Sequence, residues 1–339
     1  MKNEKGTVSV ALVQETLRLA RKNGLNIEAL IDRAGFPPAI LASPKSRVSS
    51  DQYGKLWNAI ARESDDEFFG QDSHPMRCGS FIAMTRSALT SSTGERALAS
   101  AVSFMHLVLD DFLVDVEYGK DYVRLRFSRV EARVESKMFV FATYFLLVYG
   151  LVCWLIGHRI SVRQACFSCP EPPAVEEYRL LFCDKLSFNC EYSFVDLSND
   201  FLSLPVVQNS KTVKKFLQDA PGNFVVKYRN RDSFSAHIRR SLRERKVADW
   251  PSSAELARSL HITEVTMRRR LRNEGFTYLA IKDQLRRDIA VSELQDTNRS
   301  VGSIAESLGF AEPSAFYRAF QKWTGLRPGD YRSAKKRES

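Results

Sequence analysis

The sequence predicts two domains. The first is an α+β N-terminal domain of helices with a small sheet. The second is an all-α C-terminal domain in which two helix-turn-helix units are joined by a central helix. Three observations predict this. The chain has 339 residues, and an ordinary domain holds roughly 100–200. Strand-like alternation of apolar and polar residues occurs before residue 200, and from Phe234 onward every periodic segment has helical spacing. The last third also contains an internal repeat at an offset of 48 residues.

The elements follow in chain order. Val8–Arg21 has apolar residues at helical spacing and Asn23-Gly24 is a stop signal. Asn26 is placed to cap a short helix over Ile27–Ala34, ended by Gly35, and Ser50 to cap another over Asp51–Glu63. The stretch Leu25–Leu41 resembles a helix-turn-helix but lacks a basic second helix, so it reads as packing. Ser92-x-x-Glu95 has the form of a capping box before a helix that reaches Leu109. Phe112–Tyr118 and Asp121–Phe127 alternate about Gly119-Lys120, a hairpin signal. A long apolar helix follows, then a strand at Ile160–Phe167, a helix at Ala174–Phe182, a strand at Ser187–Val195 and a helix at Lys211–Gln218. The domain boundary is expected around residues 220–235.

Composition narrows the class. With 44% hydrophobic and 27% charged residues, the chain can build a sizeable core, which excludes a mainly disordered protein. The start, Met1–Gly6, is polar, and six cysteines are too few for a disulfide framework, so a reducing cytoplasm is the expected location. Met138–Gly157 is an uncharged run long enough to span a bilayer. Its interior aromatics, with Thr143 and Gly150, favour the buried central helix of a domain over a membrane span.

Charge is unevenly placed. Residues 227–339 carry 24 Lys+Arg against 14 Asp+Glu, which leaves 26 of each sign before them, so the last third holds the whole net charge of +10. A neutral body with a basic final domain points to an anionic partner, nucleic acid or a membrane surface.

The repeat selects between them. Ser252–Ile262 and Ser300–Phe310 coincide at Ser252/Ser300, Ala257/Ala305, Ser259/Ser307 and Leu260/Leu308. Each copy reads as a short helix with a small residue, a tight turn at His261 or Gly309, and a second helix. The second helix of the first copy is Thr263–Arg272, with Met267 and Leu271 inward. That of the second copy runs from Pro313 to Trp323, with Phe316 and Phe320 inward. Tyr278–Leu294 reads as one amphipathic helix between them, with Leu279, Leu285, Ile289 and Leu294 apolar. Such a spacer can set two DNA-reading units about one turn of duplex apart, roughly 34 Å.

A helix that reads DNA needs long donors on its outer face. With Met267 and Leu271 inward, Val265, Arg268 and Arg269 are placed outward, and Arg270 is placed to meet phosphate or an acidic neighbour. Ser314, Tyr317 and Arg318 are the candidates in the second copy, which is less basic and is expected to specify less.

These residues closely resemble the AraC/XylS family of transcription regulators. The resemblance rests on the run Gly309-Phe310, Phe316-x-Arg318-x-Phe320, Gly325-x-x-Pro328-x-x-Tyr331-Arg332, within a match covering about residues 234–334. It implies a DNA-binding domain of two helix-turn-helix units, promoter DNA and RNA polymerase as partners, and gene activation. The N-terminal part is similar, through Ser49–Tyr53, Gly94–Leu98 and the long apolar helix, to that of ornithine-utilisation-type regulators. That likeness implies effector sensing and a homodimer. The expected domains are therefore 1–225 for sensing and dimerisation, 226–233 as linker, 234–334 for DNA and 335–339 as a basic tail. An effector pocket is expected between the sheet and the apolar helix.

Rival chemistries are weaker. Cys166, Cys169, Cys183 and Cys190 have the spacing C-x2-C-x13-C-x6-C, which fits no common zinc pattern. A redox role for them stays open. The five histidines form no ligand cluster, and Asp110-Asp111 suits a turn better than acid–base work. DNA-repair alkyltransferases with this kind of DNA-binding unit need a methyl-accepting Pro-Cys-His context that the chain lacks. No catalytic residue, metal or cofactor is therefore expected. The alternatives that remain are a regulator acting through protein partners without a small effector, and a membrane-tethered sensor.

Overall fold

In the computed structural model the described residues are 7–43, 45–130, 137–219, 224, 234–273 and 276–332. The expected linker at 226–233 and basic tail at 335–339 lie outside them, as do Met1–Gly6 and residues 220–223. The chain forms two compact units. One comprises Met1–Val10, Gly35–Ser49 and Arg231–Ser339, the other Ala11–Ala34 and Ser50–Asn230. An α+β N-terminal layout and a helical C-terminal domain are both present. The first unit, however, also takes two short segments from the chain's beginning.

The second unit is built on a five-stranded sheet, from β3 (Phe112–Tyr118), β4 (Tyr122–Val130), β5 (Val162–Cys166), β6 (Leu186–Ser187) and β7 (Ser193–Ser198). Their order is β3-β4-β7-β5-β6, antiparallel except for β5 with β6. The β3–β4 hairpin closes at Gly119, whose N–H donates to the Tyr122 carbonyl at 2.9 Å. The expected strand at Ser187–Val195 is broken into β6 and β7. Asn189 takes a left-handed φ of 55° between them, and Cys190 lies against Cys166 as a disulfide, Cα–Cα 6.1 Å. This corrects the expectation that the cysteines build no disulfide: Cys166 and Cys190, 24 positions apart, are brought together where Cys190 N–H donates to the Phe167 carbonyl at 3.0 Å, a pairing that cysteine spacing does not report.

Helix α7 (Lys137–Leu155) is the apolar run. It is long and apolar enough to cross a membrane, yet all of Met138–Leu155 is buried within the protein. Its aromatics meet those of the sheet: Phe141 lies 4.9 Å from Phe127, 5.1 Å from Phe167 and 5.8 Å from Phe112, between ring centroids. A helix apolar on every face has neighbours on every face. Across the sheet, Arg124 grips Asp196 bidentately (2.7 and 2.9 Å) and lies over the Phe194 ring at 3.9 Å.

The helices before the sheet are α1 (Val10–Lys22), α2 (Ile27–Ala34), α4 (Ser50–Ser64), α5 (Ser80–Ala88) and α6 (Gly94–Val108), with a short α3 (Pro38–Leu41) in the first unit. Asn26 Oδ1 caps α2 by accepting from Ala29 N–H at 3.1 Å. Two expectations shift. The cap of α6 is Thr93, accepting from Arg96 N–H, and not Ser92. The Ser92 carbonyl is taken by Val206 N–H, which holds that residue outside the helix. The helix expected from Val8 begins at Val10, because Thr7–Ser9 is strand β1, paired antiparallel with β2 (Arg47–Ser49). Helices α8 (Val175–Leu181) and α9 (Ser210–Asp219) complete the second unit.

The first unit is otherwise helical: α10 (Phe234–Arg243), α11 (Ser253–Ser259), α12 (Glu264–Asn273), α13 (Tyr278–Asp296), α14 (Val301–Ser307), α15 (Pro313–Thr324) and α16 (Pro328–Arg332). Ile238, Leu242, Trp250, Leu256, Ala257, Met267, Leu271, Ile281 and Leu285 form one core linking α10 to α13. Ser252 and Glu255 form a full capping box on α11. Ser252→Ala is expected to cost about 1 kcal/mol of stability, read by urea unfolding. An unchanged midpoint would remove the cap from the account.

Candidate nucleic-acid interface

The repeat is repeated in hydrogen bonds. Ser252 Oγ accepts from Glu255 N–H, and Ser300 Oγ accepts from Ser303 N–H. At the far end of each first helix, Ser259 Oγ donates to the Leu256 carbonyl and Ser307 Oγ to the Ile304 carbonyl, both at 2.8 Å. Ile262 N–H reaches back to Ala257 O and Phe310 N–H to Ala305 O, both at 3.1 Å. The turn residues are left-handed in both copies, His261 at φ 54° and Gly309 at φ 77°. Glycine adopts that conformation without strain, whereas a side chain costs roughly 1–2 kcal/mol there. The buried Ala257 and Ala305 allow the crossing helix to come close.

Helix α12 is capped by Thr263, whose Oγ1 accepts from Thr266 N–H at 3.1 Å. Met267 and Leu271 are fully buried, so the helix presents Val265, Arg268, Arg269 and Arg270 to solvent, with Val265 74% exposed. Arg268 is tethered: its Nη2 lies 2.9 Å from Glu264 Oε1, one turn back. That contact, followed by one from the Ser253 hydroxyl, holds the Glu264 carboxyl below its ordinary range. The Arg270 guanidinium lies over the Phe234 ring of α10 at 5.5 Å.

Helix α15 starts on Pro313, which fits a first turn because the missing N–H would have no partner there. Phe316 and Phe320 are fully buried, and Ser314, Tyr317 and Arg318 are exposed. The helix stops at Gly325, φ 77°, whose N–H donates to the Gln321 carbonyl at 2.8 Å. All seven residues singled out in the sequence therefore lie on the outer faces of two helices whose inner faces are core.

Between the pairs, α13 spans 19 residues, about 28 Å at 1.5 Å each. Ile281 and Leu285 pack into the first pair's core, while Leu279, expected on the apolar face, is 65% exposed. Arg286 lies between the pairs, 5.6 Å from the Trp250 ring and 5.9 Å from that of Phe310. Lys282 sits over Tyr278 and Trp250, and its burial, with Arg286 nearby, lowers its pKa. Sequence reasoning missed Glu264 as the tether of Arg268, although the i,i+4 spacing was legible. Among the described residues no group of His, Cys, Asp and Glu could hold a metal ion.

A family profile described as the arabinose-binding domain of AraC transcription regulator, N-terminal, matches residues 24–206, more than half of the chain. The chain belongs to the AraC family of transcription regulators. A helix-turn-helix domain profile matches residues 256–334 of this AraC-family chain. The ornithine utilization regulator of Pseudomonas aeruginosa is 26% identical over 331 residues, 96% of each chain. The transcriptional regulator VqsM of the same organism is 36% identical over 85 residues, 25% of this chain and 26% of VqsM. The virulence regulon transcriptional activator VirF of Shigella flexneri is 27% identical over 96 residues, 28% of this chain and 36% of VirF. Among solved structures, the P. aeruginosa regulator CdpR is 19% identical over 94% of this chain and 97% of its own, with a TM-score of 0.30. Membership of the family makes the chain a DNA-binding transcription regulator and promoter DNA its partner.

Proposed function

We propose that both helix pairs act as helix-turn-helix units, with α12 and α15 entering successive major grooves on one face of promoter DNA. The observation that carries this is the shared arrangement of the two helices. Each buries one stripe and turns its long polar side chains outward, and the connecting helix has nearly the length of one duplex turn. Arg268 and Arg269 read guanine edges, Val265 makes apolar contact, and Arg270 serves the phosphate backbone while packed on Phe234. Ser314, Tyr317 and Arg318 read the second groove with lower specificity. Glu264 holds Arg268 in place until DNA takes over its guanidinium.

The chain works as a cytoplasmic homodimer that activates transcription through RNA polymerase. VirF is named an activator, and the DNA-binding match includes such relatives. A small-molecule effector binds the unit comprising Ala11–Ala34 and Ser50–Asn230, which contains most of the span matched by the arabinose-binding profile. Supporting an effector, among the described residues the buried Trp57 Nε1, Gln71 Oε1 and Tyr144 OH have no hydrogen-bond partner, nor do Nη1 and Nη2 of Arg159. Such groups cost stability when unpaired, and a hydrogen bond from a polar ligand to any of them would offset part of that cost.

Selection of bound sequences from randomised duplexes by the full-length chain tests the DNA reading. The expected product is a site with two conserved blocks centred about 10 bp apart. A site with a single block would overturn the two-unit arrangement. For the effector, a metabolite screen by thermal shift is expected to find a compound that raises Tm by linkage, and a flat result across amino acids, sugars and organic acids would remove it.

A further inference from the structure

The second helix pair is held by residues from the opposite end of the chain. Strands β1 and β2 form a two-stranded ribbon in the same compact unit as α10–α16, and their side chains close a buried network on α13. The Thr7 hydroxyl donates to Asp288 Oδ1 at 2.6 Å and accepts from Arg47 Nε at 2.7 Å. Arg47 Nη2 donates to the Thr7 carbonyl at 2.9 Å, and Arg47 Nε lies 3.7 Å from Asp288 Oδ1. Ser49 N–H donates to Gln295 Oε1, two turns further along α13. The segment entering β2 holds the end of α15: the hydroxyls of Ser43 and Ser46 both donate to the Thr324 carbonyl, at 2.7 and 2.9 Å. Arg47 N–H donates to the Tyr331 hydroxyl of α16 at 3.3 Å. Gly325 fits this approach, since a Cβ there would come 2.6 Å from Ser43 Oγ.

The two pairs therefore differ in construction. The first has a core drawn wholly from α10–α13 and the loops between them. The second is fixed on α13 partly by the ribbon, through charged and hydroxyl groups that are almost fully buried: Thr7 0%, Ser46 0%, Thr324 0%, Arg47 7% and Asp288 8% exposed. The ribbon has a further property. Val10 of α1 follows Ser9 directly and Ser50 of α4 follows Ser49 directly. Both strands thus continue without a spacer into helices of the effector-binding unit.

We propose that Thr7, Ser43, Ser46 and Arg47 are positioning residues for DNA reading. They fix the second helix pair against α13 and so place α15 at its groove, while the first pair is placed without them. The ribbon is then the route by which α1 and α4 act on one of the two reading helices and not the other. This rests on the two-unit reading above.

The test uses the full-length chain and the duplex it selects from a randomised pool, with hydroxyl-radical footprinting of each block. The combined Thr7→Val, Ser43→Ala, Ser46→Ala variant removes three hydroxyls and no charge. It is expected to bind at least about ten-fold more weakly, with protection of the second block lost and of the first retained. Thr7→Ser alone, which keeps the hydroxyl, is expected to protect both blocks. Equal loss at both blocks would mean a merely structural role, and full protection of both would mean none; either overturns the proposal. If the combined variant does not fold, Tyr331→Phe must give the same unequal loss, and its failure to do so also overturns it. If the unaltered chain selects a site without a second block, the two-unit reading fails first, and this proposal with it.

Discussion

Replacing Arg268 and Arg269 together by alanine is expected to weaken binding to the selected duplex by about 30-fold to 10⁴-fold. The figure follows from roughly 1–3 kcal/mol for each bidentate guanine contact. Site preference is expected to relax in the first block alone, because the proposed arrangement assigns the second block to α15. Each arginine that meets a phosphate instead would leave preference intact and flatten the salt dependence by about one unit of slope. Fluorescence anisotropy across a salt series separates the two roles. Unchanged affinity and unchanged preference would show that α12 is not a reading helix. Glu264→Gln gives the complementary result. It frees Arg268 from its ion pair and removes a negative charge from the face proposed to meet DNA, so affinity is expected to rise while preference for the first block falls.

Phe320→Ala is expected to destabilise the first unit by about 3–5 kcal/mol, the usual result of deleting a fully buried aromatic ring. Phe320 is completely buried. It lies 5.5 Å from Phe316 and 5.1 Å from Tyr331, ring centroid to centroid. Its loss opens a cavity between α15 and α16, beside the point where Ser43 and Ser46 hold Thr324. Differential scanning calorimetry of the full chain should show the melting transition of this unit at lower temperature. A loss under about 1 kcal/mol would mean that the neighbouring rings collapse to fill the space, a known source of spread in such values.

The local elements of the DNA-binding half were legible because their signals are local. The turns at His261 and Gly309 and the inward pairs at Met267/Leu271 and Phe316/Phe320 each depend on residues within a turn or two. The misses have the opposite character. Val8 and Ser9 read as the first residues of a helix running to Arg21, and only pairing with Arg47–Ser49 makes Thr7–Ser9 a strand. Ser92 matched a capping box but lost the role to Thr93, because Val206 claims its carbonyl from more than a hundred residues away. Leu279 fitted an apolar stripe and is exposed, because Ile281 is the residue that meets the core.

Net charge shows the same division. The sequence by itself places the whole excess of +10 after residue 226. It also determines that the excess belongs to a repeated helical pattern suited to an anionic duplex, since charge and helical spacing are properties of the chain. That Arg268 is tethered to Glu264 and Arg270 packed on Phe234, and above all that the second helix pair is anchored by Thr7, Ser43, Ser46 and Arg47, only the tertiary structure decided. The physical reason is range. Hydrogen bonds and ion pairs act over a few ångströms in space and take no account of the 281 positions that separate Thr7 from Asp288, whereas sequence patterns report only neighbours along the chain.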